Sequence, residues 1–301
     1  MRRSLKERLR RLLLPSRVFR DLTAIQLNQG RILSELNASK PLSCLNACEF
    51  QVFSQFGEDG IIQQLVRHLP IEHRTFIEFG VEDFAEANCR FLMMNDNWRG
   101  FVLDGSARQI EKLRSWEQFW KYDLNTRCEF VTRENVNALL GASGFAQDLG
   151  ILSIDVDGMD YWILTAVNAV RPRILIVEYN ALFGAERKIT VPYSANFVKQ
   201  HAHASGLYFG ASLGAITHAA EQKGFALVAT ESSGTNAFFV RQDLLRNSLA
   251  AKPVHAAYHD SLVRQSRDAQ GKLDYLDRAG RMRMIEGMPV MNVETGAMES
   301  L

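Results

Sequence analysis

The chain has 301 residues, 47% of them hydrophobic and 23% charged, with 35 Lys and Arg against 34 Asp and Glu. This composition excludes disorder, collagen-like repeats and low complexity, and the near-zero net charge excludes the strong positive field of a dedicated nucleic-acid binder. Charge is uneven, however: residues 1–20 carry eight basic side chains and one acid, a net +7, which leaves −6 on the remainder.

Four cysteines are too few for a disulfide framework in a chain this long, and Cys44 and Cys48 have neither the spacing nor the neighbouring His of a zinc site. No apolar run approaches the roughly 18–20 residues of a membrane span. The Leu12–Leu14 run is too short and too closely flanked by Arg for a secretory segment. A cytoplasmic protein with reduced thiols is expected.

In chain order, residues 4–14 place Leu5, Leu9, Leu12 and Leu13 on one helical face with Arg elsewhere, and Pro15 ends the pattern. A basic amphipathic helix at residues 1–20 would suit peripheral contact with an anionic membrane, or would be a solvated face. Val18, Leu22, Ile25, Gln29, Ile32 and Leu36 follow spacings of 4, 3, 4, 3 and 4. That is the seam of a short coiled coil, so homo-oligomerisation through residues 18–36 competes with packing on the chain's own domain. Residues 1–37 form an expected helical arm.

From about residue 50 to 245 short apolar runs alternate with amphipathic segments. Strands are expected at 75–79, 100–103, 129–132, 151–155, 174–178, 226–230 and 236–240, and helices at 61–69, 85–94, 109–119, 136–140, 161–168 and 213–223. Only ESSGT separates the last two strands. The fold class is therefore α/β, a seven-stranded, mostly parallel Rossmann-like sheet ending in an antiparallel strand pair, as in class I methyltransferase domains. Residues 181–206 read as a long functional insertion. Residues 252–301 read as a hairpin around Arg278, Ala279 and Gly280 followed by a tail, and the four Trp as packing residues.

Ligands of open parallel sheets bind beyond the carboxyl ends of the strands. Those ends are acidic here: Glu78 before Gly80, Asp104 before Gly105, Asp155 and Asp157 before Gly158, and Glu178 two residues before Asn180. Asp104 lies 24 residues after Gly80, close to the separation at which a second-strand acid accepts ribose hydroxyls, although it would equally cap the following turn. Gly80 either admits a ligand to the backbone or simply ends a strand. Gln55, Glu58 and Asp59 either floor a cofactor site or start a helix. No GxGxxG or GxxxxGK[ST] cradle exists in the chain, which argues against dinucleotides and nucleoside triphosphates.

The blocks SQFGEDGII (54–62), FIEFGVED (76–83), GFVLDGS (100–106), LSIDVDGMDYWIL (152–164), PRILIVEYN (172–180) and NAFFV (236–240) resemble, in order, those of FkbM-type S-adenosylmethionine-dependent methyltransferases. The resemblance implies S-adenosylmethionine as cofactor, with Glu78 and Gly80 as cofactor-loop acid and first glycine and Asp104 as the ribose acid. It places Asp155 at the strand end facing the transferred methyl. Transfer to a hydroxyl of a sugar, polyol or glycan is the implied reaction. The chain departs from the family at Glu82 and Phe84, where small residues or a further glycine are usual.

Asp155, Asp157, Glu178 and Asn180 offer oxygen ligands that would suit Mg²⁺, by topological similarity to metal-dependent macrocin-type O-methyltransferases. Asp157 and Asp160 would otherwise cap the helix at 161. Without a metal, His201, His203 and Tyr193 are candidate general bases. Two other readings compete: a non-catalytic scaffold that keeps the fold, and a nucleotide-sugar glycosyltransferase using Asp155 and Asp157 as a DxD motif.

Overall fold

Central strands of an α/β protein are covered on both faces, so their runs are continuously apolar rather than alternating. The computed structural model describes residues 16–301. The basic helix expected at 4–14, and with it most of the membrane-contact segment, lies outside the described residues. The elements that position the site are α1 (Ser16–Asn37), α2 (Glu58–His68), β1 (Thr75–Phe79), α3 (Arg90–Asp96), β2 (Arg99–Asp104), α4 (Ala107–Arg114), β3 (Leu124–Cys128), α5 (Val136–Gly141), β4 (Ile151–Ile154), α6 (Asp160–Ala166) and β5 (Ile174–Glu178). They are followed by β6 (Ile189–Thr190), α7 (Lys199–Ala202), α8 (Leu213–Gln222), β7 (Phe225–Thr230), β8 (Asn236–Arg241), α9 (Val254–Ala257), α10 (Arg278–Ile285), β9 (Pro289–Asn292) and β10 (Met298–Ser300).

The main sheet runs β3-β2-β1-β4-β5-β8-β7. Its first five strands pair in parallel and β8 is antiparallel to both β5 and β7. This is the expected Rossmann-like α/β sheet with its antiparallel ending. Strand order reverses between β1 and β4, which opens a crevice at their carboxyl ends. The antiparallel return also sets Asn236, the first residue of β8, opposite Glu178, the last of β5. Alternate strand residues feed two apolar layers, with Ile77, Leu152, Leu175 and Val177 on one face and Phe76, Ile151, Ile174 and Ile176 on the other.

Three expectations need correction. β3 lies at 124–128, five residues before its expected place, because it is an edge strand in which Leu124 alone is buried and its ladder carries the pairing. The residues at 278–285 form α10 rather than a hairpin turn: the Asp277 side chain accepts from the Gly280 N–H at 2.8 Å and caps the helix. The hairpin is displaced to β9 and β10, which join β6 in a second, three-stranded sheet. Trp120 is 79% exposed, not packed.

Helix α1 packs on its own domain, but not through the heptad seam. Gly30 faces Phe91 and Val52 so closely that a Cβ would meet them at 2.5 and 2.6 Å. The buried Ser34 and Asn37 bond Gln63 and the Cys48 carbonyl. Leu22, Ile25, Ile32 and Leu36 face outward, 49–66% exposed. All four cysteines are free thiols. Among the described residues no helix is long and apolar enough to cross a membrane.

Candidate functional site

A cavity of about 800 Å³ occupies the crevice at the carboxyl ends of β1, β2, β4 and β5. Nine of its lining side chains are Asp or Glu and two, Lys112 and Lys199, are Lys. Its potential is therefore strongly negative, and walls that exclude water strengthen it.

On the β1–β2 side, Asp104 spans the turn: one oxygen accepts from the Glu82 N–H at 2.8 Å and the other from the Ser106 N–H at 2.7 Å. Each carboxylate oxygen keeps a second lone pair, so Asp104 can serve the turn and a ribose diol together. Glu78 is also at the cavity wall, but its two oxygens accept from the Asn88 and Cys89 N–H groups at 2.7 and 3.0 Å. It fixes the entry to α3, and burial pushes its carboxyl up to about 7 despite these bonds.

Gly80 has a reason other than ligand approach. Its φ is +73°, and a Cβ there would stand 1.7 Å from the Asp155 carbonyl oxygen. Only glycine lets the β1 loop pass the β4 end, so Gly80 sets where Asp155 sits. Glu82 and Phe84 take left-handed conformations, φ 47° and 59°. The loop thus keeps backbone shapes that favour glycine without the glycine. It is held by the Asp104 bond, by the Lys112–Asp83 ion pair and by the buried Phe84 ring stacked on Phe76.

The β4–β5 side carries the acid pair. Carboxylate oxygens of Asp155, Asp157 and Glu178 all lie within 4.8 Å of one another. Burial first, and then neighbouring carboxylates, push both Asp155 and Glu178 well above the usual carboxylate range: Asp160 and Asp157 act on Asp155, and Asp155 and Asp160 on Glu178. Glu178 Oε2 and Asn236 Oδ1 are buried without a hydrogen-bond partner, and both residues line the cavity. Unpaired buried acceptors are costly, and two together at a cavity wall favour a ligand rich in donors.

Asp160 builds the loop that presents these groups, accepting from the Val156 and Gly158 N–H groups at 2.8 and 3.0 Å. Asp157 has φ 56° and a side chain 64% exposed, with Lys199 Nζ 2.6 Å from its Oδ1.

Several expected site residues are elsewhere. Asn180 is spent on backbone, donating to the Leu207 and Phe209 carbonyls and accepting from the Leu182 N–H, so it does not belong to the acid cluster. Asp59 is buried behind the wall, where one oxygen accepts from the N–H groups of Val52, Phe53 and Ser54. It shapes the loop whose Gln55 does line the cavity. Glu58 is likewise internal, bonded by the Phe56 N–H and by Asn236.

Tyr193 bonds Glu134 under the Arg133 guanidinium, away from the cavity. His201 is exposed and His203 is tied to Ser205. One turn of α7 explains this: residues 197–200 line the cavity and the following residues turn away. The residues that sequence reasoning missed are Lys199 and Asn236. A lysine among polar insertion residues carries no signal, and Asn236 emerges only from the β5–β8 register.

No family model matches the chain, and no curated protein matches it. Solved structures similar to it include the N-terminal domain of EvdMO1 with SAH bound, at 14% identity over 62% of this chain and 80% of that one, with a TM-score of 0.40. Another is an S-adenosylmethionine-dependent methyltransferase from Clostridium acetobutylicum, at 10% identity over 61% and 89%, with a TM-score of 0.36. A third is the spermidine synthase of Thermotoga maritima, at 11% identity over 72% and 65%, with a TM-score of 0.34. Likeness at these scores carries no argument, and the function rests on this chain's own residues.

Proposed function

We propose that the protein is an S-adenosylmethionine-dependent methyltransferase that delivers a methyl group to an oxygen, a hydroxyl of a sugar or related polyol. The observation that carries this reading is the acid-lined cavity at the β1–β4 reversal with Asp104 at the end of β2. An adenosyl sulfonium with its amino group brings positive charge and a ribose diol to such a cavity, and its size suits that ligand. The resemblance of the successive sequence blocks points to the same cofactor. A nucleotide sugar would bring a pyrophosphate into a crevice lined by nine acids and only two lysines, which counts against the glycosyltransferase reading.

S-adenosylmethionine supplies, when bound, a methyl group on a positively charged sulfur. The protein aligns the acceptor hydroxyl with that methyl and removes its proton. Asp155 and Glu178 are the groups placed for the proton, because burial and the surrounding carboxylates give them more basicity than an ordinary carboxylate. Asn236 and Glu178 supply acceptors for the hydroxyls of the acceptor molecule.

Calorimetric titration with S-adenosylmethionine and S-adenosylhomocysteine tests the reading. Micromolar binding is expected, weakened at least tenfold by Asp104→Ala. Absence of binding by the wild-type chain would overturn it in favour of a non-catalytic scaffold.

A further inference from the structure

The acid cluster at the β4–β5 end poses an electrostatic problem that the chain answers with its own side chain. Three carboxylates converge there, and Glu178 is 8% exposed with one oxygen unpartnered. Such an arrangement calls for a cation. Lys199, on the first turn of α7 in the insertion, sends its ammonium to Asp157 Oδ1 at 2.6 Å. Its place is fixed twice, because the ammonium also lies 4.4 Å from the centre of the Phe209 ring. It feels Glu178, Asp157 and Asp155 together, and their attraction outweighs its burial to hold its pKa above the usual lysine range.

We propose that the Lys199 ammonium, held on Asp157, is the resident countercharge of the Asp155, Asp157 and Glu178 cluster and takes the place of a divalent ion there. The inference concerns the acceptor half of the cavity under the methyltransferase reading, but its physical content is independent of the reaction. A divalent ion bound by Asp157 would sit beside the ammonium on the same carboxylate, and the repulsion between the two cations opposes its binding. Lys199 then has two effects. It lets three acids share one corner without a metal, and, as a positioning residue, it orients Asp157 so that Asp155 and Glu178 remain free for the acceptor.

Mn²⁺ titration of the full-length chain, with free ion read by electron paramagnetic resonance, tests this. The wild-type chain and Lys199→Arg are expected to show no site tighter than millimolar. Lys199→Met, which keeps the stem and removes the charge, is expected to gain a site at least tenfold tighter, lost again in Lys199→Met/Asp157→Asn. Tight Mn²⁺ binding by the wild type that Asp157→Asn abolishes would overturn the proposal, and that arm needs no lysine variant to fold. Equal, weak binding by wild type and a Lys199→Met variant with native circular dichroism would overturn it as well. S-adenosylhomocysteine calorimetry on the same samples separates the two readings, since failure to bind it removes the methyltransferase assignment and leaves the Mn²⁺ comparison standing.

Discussion

Glu82 and Phe84 replace glycine-like positions, and they show how one backbone solution has two energetic consequences. A left-handed L-residue costs roughly 1–2 kcal/mol, which glycine would relieve, less the roughly 0.5–1 kcal/mol by which glycine's unfolded-state freedom disfavours folding. Glu82 is exposed and its side chain bonds Gln109 at the surface, so Glu82→Gly should leave stability within about 1 kcal/mol of wild type. Phe84 is 1% exposed and stacked on Phe76. Removing a buried Phe costs about 3–5 kcal/mol, so Phe84→Gly should lose about 2–4 kcal/mol in urea unfolding despite the relieved strain. A Phe84→Gly chain as stable as wild type would mean that the ring does not hold the loop. Sequence alone marked both positions as departures and could not say this, because left-handed backbone is invisible in a residue string unless glycine or asparagine announces it. The acids at the strand ends were legible for the opposite reason: a charge directly after an apolar run has few places to go. Their division of labour was not, since whether Glu78 or Asp59 faces a ligand depends on which N–H groups of distant loops reach them.

The central strands were readable because burial on both faces writes itself as an unbroken apolar run. The edge strand β3 was not, because its residues are polar and its ladder does the work. In α1 the heptad spacing was real but faced outward, while Gly30, a poor helix former, is where the helix backbone comes close to Phe91 of α3. The C-terminal elements were the least legible, since β6 has two residues and is defined by its pairing with the distant β9 and by a single bridge from Thr190 to Ala211. The insertion is tied to the tail by that pairing and by the Arg187–Glu299 and Lys188–Glu294 ion pairs, and the segment just after it by the Tyr208 hydroxyl on the Pro289 carbonyl. These ion pairs are exposed and contribute little by themselves, whereas Val290 and Val191 are fully buried in the shared core. Removing residues 288–301 should therefore uncover β6 and speed proteolysis between 185 and 206, read by limited trypsin digestion. Its melting temperature should fall by several degrees, because burying a single valine contributes about 1.5–3 kcal/mol. Unchanged digestion would show that the insertion holds its place without the second sheet.

Across the whole molecule, the acids that make the site useful also set how stability depends on pH. Burial raises Glu58 and Glu78 to about 7 from 4.5 and Asp160 to about 6 from 3.8. Asp155 and Glu178 move in the same direction. Between the unfolded and folded values the native chain binds more protons than the unfolded one, so stability falls as pH rises through that window, from about 4 to about 7. Asp148 and Asp243 move the other way beside Arg173 and Arg241, and their contribution is lost only as pH falls below the ordinary Asp value. The melting temperature should therefore be higher at pH 5.5 than at pH 8.0, and a rise toward pH 8.0 would contradict this sign. The two-sided character of the site gives a sharper form of the same test. Glu178→Gln removes one ionising partner of the acid pair while keeping its shape, and its amide can donate to Asp155. At pH 8.0 it should be more stable than wild type, because no carboxyl at position 178 then has to ionise inside the folded chain. The difference should shrink as pH falls toward the ordinary carboxylate range, where the folded wild-type pair takes up protons. A variant that is stabilised equally at both pH values would place the gain in packing, whereas one stabilised only above the window ties it to the carboxylate charge that the proposed chemistry uses.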